Sequence, residues 1–340
     1  MQSDEVSQKE LVALIEERGE NVFKRFEKAI FSGVENQRLL SILEYVKNQA
    51  KDLYRPALIS FSCEAVGGKP DDTVVAGLMI TLAGAGIGIH DDVIDKSATK
   101  GFRRTVLGRN GVNDALLVGD LLIVKGLTAV QEMVKKGYQP KKVADIIQAV
   151  QRHYIEICEG VFMENSWRKN VEIELDFCHQ VLWKFASDGE ACTRLGAIVG
   201  NGTDKEVEAL GEFGRRMCYV FRLADEVKDT LNLGGSLLRR LEYESVPLPL
   251  LYAAKVSKEN SVKLKSILEG RIAPTEIKPL LDLCFETEAF NYVHEIAQKN
   301  VEEGIRILHK LKPSKARTAL TLMIKETFPD SLIQSWEPLT

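Results

Sequence analysis

TVVAGLMITLAGAGIGIHDDVIDKS, residues 73–97, carries no formal charge from Thr73 to His90 and then ends on three carboxylates. Its apolar residues do not alternate with period two, so the stretch reads as a helix apolar on every side, which belongs in a core or a membrane. About 20 such residues would span a bilayer. Gly77, Gly84, Gly86 and Gly88 within it, and the acidic pairs Asp71-Asp72 and Asp91-Asp92 at its ends, favour a buried helix instead. Asp91, Asp92 and Asp95 stand at i, i+1 and i+4, which places Asp91 and Asp95 on one face. Like charges at that spacing destabilise a helix unless a cation answers them. An all-oxygen donor set suits Mg²⁺ that bridges to a substrate phosphate.

Outward from this helix the chain repeats its character. Apolar residues recur at i, i+3 and i+4 over Glu10–Phe31, Gln37–Val66, Gly111–Val134, Lys141–Glu164, Glu172–Val199 and Asp204–Thr230, with shorter runs to Lys325. Glycines and prolines mark their ends: Gly67-Gly68, Gly101, Gly200, Gly202, Gly234-Gly235, Pro247 and Pro249. The fold expected is all-α, and no linker or repeat divides the 340 residues, so 1–340 is expected to be a single helical domain with a frayed tail after Pro329. Lys and Arg number 45 against 49 Asp and Glu, so the chain lacks the basic footprint of a nucleic-acid binder. Six cysteines without a CxxC pair read as reduced core thiols. With no apolar leader at the N-terminus, the expected location is cytoplasmic, without a transmembrane segment.

A second acidic group, FRLADEVKD (221–229), repeats the first spacing with Asp225, Glu226 and Asp229. Its lead-in of Cys218, Val220, Leu223 and Ala224 is apolar, as Ile87 and Ile89 are at the first group. Two such helices facing each other would make a metal-binding mouth over an apolar cavity. Cations stand around both groups: Arg55, Arg103-Arg104, Lys184 and Arg239-Arg240. Groups of this kind hold phosphate oxygens.

These motifs, in this order, resemble the trans-isoprenyl diphosphate synthase (polyprenyl synthetase) family over about residues 40–256. The resemblance rests on DDxxD at Asp91–Asp95, Arg103-Arg104, ALLVGDLLI (115–123), the Lys184 segment ending CTRLGAIVG, DExxD at Asp225–Asp229, and VPLPLLYA (246–253). It implies an isoprenoid synthase type helical bundle around a central apolar cavity. Three Mg²⁺ ions would hold an allylic prenyl diphosphate whose tail runs down the shaft. By match of position, Asp91, Asp92, Asp95, Asp225, Glu226 and Asp229 resemble the metal ligands. Arg103 and Lys184 resemble ligands of the allylic diphosphate, and Arg55 and Arg104 of isopentenyl diphosphate. Lys51 and Arg222 fall in the substrate-binding segments. A homodimer, or a heteromer with a second synthase subunit, is the assembly implied.

The isopentenyl half departs from the family pattern. GGKRxRP reads AKDLYRP (50–56), so Asp52 stands where a Lys is usual and Lys51 is one place out of register. The usual His is Gly84, the Thr after Lys184 is Phe185, the FQ pair is Phe221-Arg222, and the LGK loop is shortened to LGGSLLRR. Three readings stay open here: a chain-elongating synthase, a terpene cyclase or prenyltransferase with another acceptor, and a non-catalytic subunit of a heteromeric synthase. Within the first, Ile87, Gly84, Ala83 and Ile80 share the face of Asp91 and none is aromatic, and Gly86, five places back, also leaves space where a bulky ring would be a floor, so a product of C20 or longer is expected.

Overall fold

The structure is a computed structural model that describes residues 6–101, 103–270, 273–329 and 331–334. Among the described residues the only strands are β1 (Thr99–Lys100) and β2 (Arg103–Arg104), an antiparallel pair that aligns Lys100 with Arg103. All other regular structure is helical, as expected. The tail after Pro329 lies in large part outside the described residues.

The chain divides into two compact units, each described by itself. The first is drawn from Met1–Gln151, Gly189–Phe213 and Ile307–Met323, and the second from Arg152–Asp188, Gly214–Arg306 and Ile324–Thr340. The first opens with α1 (Gln8–Ala29), capped by the Ser7 side chain, which accepts from the Glu10 N–H, and α2 (Gln37–Gln49), capped likewise by Asn36. The single helix expected over Gln37–Val66 is broken. The Asp52 carboxylate accepts the N–H groups of Tyr54 at 3.0 Å and Arg55 at 3.2 Å, and so restarts the chain as α3 (Tyr54–Ala65).

After a 3-10 turn at Pro70–Thr73 comes α4 (Val74–Ile94), followed by α5 (Val106–Asn110), α6 (Val112–Thr128) and α7 (Gln131–Lys135). Leu78, Leu82 and Ile89 of α4 join Phe26, Leu43 and Leu122 in one core cluster. The segment Pro70–Ile94 is long and apolar enough to cross a membrane, yet 67% of its most apolar window is buried in the fold. It is a core helix.

α8 (Pro140–Asn165) leads into the second unit, which holds α9 (Leu175–Phe185) and the start of α10 (Ser187–Val199). α11 (Asp204–Thr230) delivers the second acidic group, followed by α12 (Leu237–Tyr243) and α13 (Leu248–Val256). α14 (Lys258–Glu269), α15 (Ile277–Glu286), α16 (Ala289–Leu308), α17 (Lys315–Thr327) and α18 (Ser331–Gln334) complete the chain. In this unit α13 packs on α9, α14 and α15. Half-buried His179 bridges the hydroxyls of Tyr219 at 2.6 Å and Tyr292 at 2.9 Å, and the loss of solvent lowers its pKa. Five of the six cysteines are buried; Cys158 lies at the surface, contrary to the expectation of core thiols throughout.

Candidate active site

The first acidic group closes α4. Asp95 is the C-cap, so three carboxylates crowd the helix end whose dipole already repels negative charge. Asp92 is buried and receives the Lys100 ammonium at 2.7 Å, while Asp91 and Asp95 stay partly exposed. Burial works against the charge on Lys100, but the Asp92 hydrogen bond and the charges of Asp91 and Asp95 outweigh it and raise its pKa. Lys100 is therefore a resident cation, and it sits on the short hairpin with its side chain 59% exposed.

The hairpin is tied down on both sides. The Thr105 hydroxyl donates to the Ser97 carbonyl at 2.6 Å, and the Tyr45 hydroxyl donates to the Arg104 carbonyl. Arg103 donates to the Gln49 side chain at 3.1 Å, and both arginines are exposed. Arg55, expected to serve isopentenyl diphosphate, and Lys51, expected in the substrate-binding segment, already face carboxylates. Arg55 pairs with Asp52 at 2.8 Å, and Lys51 pairs with Glu20 of α1 at 2.5 Å.

The open space on α4 lies at Gly84, on the expected face, and at Gly88, and not at Gly86. A Cβ on Gly86 would lie 2.5 Å from the Gly119 carbonyl oxygen and 2.8 Å from Ile123 Cγ1, so Gly86 is spent on contact with α6. Ala83 is spent in the same way: a Cβ on Gly126 would come within 2.9 Å of its methyl. His90 completes this seam, its ring over Gly119 and its Nε2 3.1 Å from the Leu116 carbonyl oxygen. The expectation of tail space at Gly86 and Ala83 is thus corrected, because α6 fills it. At Gly84 and Gly88 a Cβ meets nothing within 4 Å. Gly84, Gly88, Asp91 and Asp95 fall at i, i+4, i+7 and i+11 and so form one stripe. Ile87, partly exposed, lies beside it.

In the second unit, Lys184 ends α9 and donates to Glu159 at 2.6 Å. Arg222 stacks on Phe185, with 5.7 Å from guanidinium to ring centroid, and its Nε is buried without a hydrogen-bond partner among the described residues. Phe185 thus builds a platform for the Arg222 cation. Asp225 faces Lys228 at 3.2 Å; burial raises its pKa against the pull of Lys228 and Arg222.

Glu226 and Asp229 point elsewhere. Glu226 accepts from Arg240 with one oxygen and from the Leu248 N–H at 2.7 Å with the other. Asp229 accepts from Arg240 at 2.7 Å and from the Ser236 hydroxyl at 2.9 Å. All four of their oxygens thus accept a hydrogen bond from the protein. Glu164, half-buried, accepts from Ser245 at 2.6 Å, and desolvation raises its pKa. Sequence reasoning placed Arg240 among phosphate-holding cations and missed Lys100 and Glu164; the only signal was their sign of charge near the acidic groups.

Among the described residues no three His, Cys, Asp or Glu side chains converge into a set that could hold a metal ion unaided. That suits Mg²⁺, which takes one or two carboxylates and completes its shell with water and substrate phosphates. The donors of the first group are oxygens alone, and a cation already rests on Asp92, so Asp91, Asp92 and Asp95 fit such an ion. In the second unit, taken by itself, Asp225 stands outside the Arg240 network that engages Glu226 and Asp229.

Comparison with known proteins agrees with this geometry. The family described as Polyprenyl synthetase matches residues 36–283. A short chain isoprenyl diphosphate synthase of Methanothermobacter thermautotrophicus is 26% identical over 320 residues, spanning 92% of this chain and 97% of that protein. A geranylgeranyl diphosphate synthase of Methanosarcina mazei is 25% identical over 292 residues, with 84% and 87% covered. The crystal structure of geranylgeranyl pyrophosphate synthetase from Pyrococcus horikoshii OT3 matches with a TM-score of 0.83 at 25% identity, over 94% of this chain and 98% of that one. Helical fold, acidic helix end and sequence match converge: the chain belongs to the polyprenyl synthetase family and is a prenyltransferase.

Proposed function

We propose that the chain is an Mg²⁺-dependent synthase that condenses an allylic diphosphate with isopentenyl diphosphate to a linear product of C20 or longer, and that its 340 residues work as one domain. The observation that carries this reading is the stripe on α4, where open positions at Gly84 and Gly88 lead to Asp91 and Asp95. A diphosphate held at the carboxylates would direct its apolar tail along the glycine row, with no side chain there to stop it. The names of the geranylgeranyl diphosphate synthases among its relatives support the same length.

In this reading Asp91, Asp92, Asp95 and Asp225 hold Mg²⁺, which when bound neutralises the leaving diphosphate. Arg103 and Lys184 bind the allylic diphosphate oxygens, and Arg222, fixed on Phe185, adds a rigid positive charge beside Asp225. Arg55 and Arg104 bind the second diphosphate, Arg55 after exchanging Asp52 for it. Ile87 packs along the tail. Incubating the chain with Mg²⁺ and C10, C15 or C20 allylic diphosphates, with and without isopentenyl diphosphate, tests this by product mass. Products of C20 and beyond are expected, dependent on isopentenyl diphosphate.

A second reading has its own support. The pairs Arg55–Asp52 and Lys51–Glu20 leave the isopentenyl side less positive than a diphosphate site needs. Ionisation of the allylic substrate without any effect of isopentenyl diphosphate would favour a cyclase or a transferase to another acceptor. We also infer a homodimer, since Leu117 and Val124 of α6 stand 67% and 56% exposed. A solution mass of twice the chain is the expected result.

A further inference from the structure

The second acidic group carries its own cation in a form that the first does not. Arg240 is 8% exposed at its side chain and sits between Glu226, 6% exposed, and Asp229, 34% exposed. One terminal nitrogen donates to each carboxylate, and Nε lies 3.4 Å from the Ser245 carbonyl oxygen. The planar fork of a guanidinium matches two acceptors at once and keeps its proton at any accessible pH. Burial works against the charge on Arg240, yet Glu226 and Asp229 outweigh it and hold the group ionised. The remaining oxygens are filled by the Leu248 N–H and the Ser236 hydroxyl. A hydrated Mg²⁺, which sheds water reluctantly, has no room at the enclosed Glu226, and at the more open Asp229 both oxygens are already engaged.

We propose that Arg240 is the resident cation of the second acidic group: a positioning residue whose guanidinium stands where a divalent ion would otherwise meet Glu226 and Asp229, leaving Asp225 as the group's carboxylate for an incoming ligand. Lys100 makes the contrast. It is a flexible ammonium on an exposed hairpin and can yield Asp92 to a metal, whereas Arg240 is walled in and cannot leave. The two groups share a sequence spacing and differ in what neutralises them. The inference rests on the synthase reading only for the part played by Asp225.

The test counts metal ions rather than turnover. Mn²⁺ bound to the full chain is measured by electron paramagnetic resonance, with inorganic pyrophosphate present, for the wild type, Asp91→Asn and Asp229→Asn. Asp229→Asn is expected to keep the wild-type number of bound Mn²⁺ and its affinity, while Asp91→Asn loses binding. A fall of about tenfold or more in affinity, the usual effect of disturbing a metal ligand or its support, for Asp229→Asn would overturn the role of Arg240. Arg240→Gln, without pyrophosphate, is expected to bind one Mn²⁺ more than the wild type and to gain melting temperature with Mn²⁺ beyond any wild-type gain. A folded Arg240→Gln chain with neither gain also overturns it, and if that variant does not fold, Asp229→Asn decides. Absence of Mn²⁺ on the wild type with pyrophosphate would sink the synthase reading, and the Arg240→Gln arm would still judge this one.

Discussion

At the scale of single residues, the first acidic group decides whether the chain can work. Asp91→Ala or Asp95→Ala should lower kcat by at least about 10²-fold, as the loss of a strong electrostatic group does; wild-type turnover in both would remove the metal site. Lys100→Gln has the opposite sense. With its ammonium gone, Asp92 waits for a cation, so half-saturation should come at lower Mg²⁺, while the metal-free protein melts at a lower temperature. Unchanged values of both would mean that the 2.7 Å pair with Asp92 matters little. Glu164 supplies a pH test. Its folded pKa is raised by burial, so the folded chain holds that proton more tightly than the unfolded one, and stability falls as pH rises from the ordinary carboxylate value to the raised one. Glu164→Gln keeps an acceptor for Ser245 without the charge. It should melt higher than the wild type at neutral pH, with the advantage vanishing below the ordinary range near pH 4; a difference independent of pH would refute this.

At the scale of elements, the two faces of α4 predict opposite outcomes for similar substitutions. Gly84→Ala and Gly88→Ala add a methyl to open space and should stabilise by up to about 1 kcal/mol. Gly86→Ala drives a methyl against Gly119 and Ile123 and should cost about 1–3 kcal/mol. Gly88→Phe should shorten the product with little loss of stability, whereas Gly86→Phe should unfold α4 from α6 before it alters any product. Denaturant midpoints and product lengths of the five variants check this. The helix itself was legible, since its apolar run and the DDxxD spacing are local. Which of its glycines faces α6 was not, because Gly119, Ile123 and Gly126 lie more than one element away. The break before α3 was missed for a different reason: Asp52 departs from a motif, and the same departure is a helix cap.

At the scale of the whole molecule, the all-α class and the order of motifs could be read from the chain because helices and their breakers are written in neighbouring residues. The neutralisation of the acidic groups could not. Lys100 meets Asp92 through a hairpin, and Arg240 meets Glu226 across the turn of Asn232–Gly235, so charge pairing waits on tertiary structure. The seam between α4 and α6 has a further effect. Where two backbones approach so closely that glycines alone fit, no water reaches the amides and neither helix can fray without pulling on the other. In deuterium, the amide protons of Ile80–Ile87 and Leu122–Gly126 should be among the last to exchange. The exposed strands Thr99–Lys100 and Arg103–Arg104, a few residues downstream, should trade their protons early, so that a slow anvil and a quick hammer lie side by side in the chain.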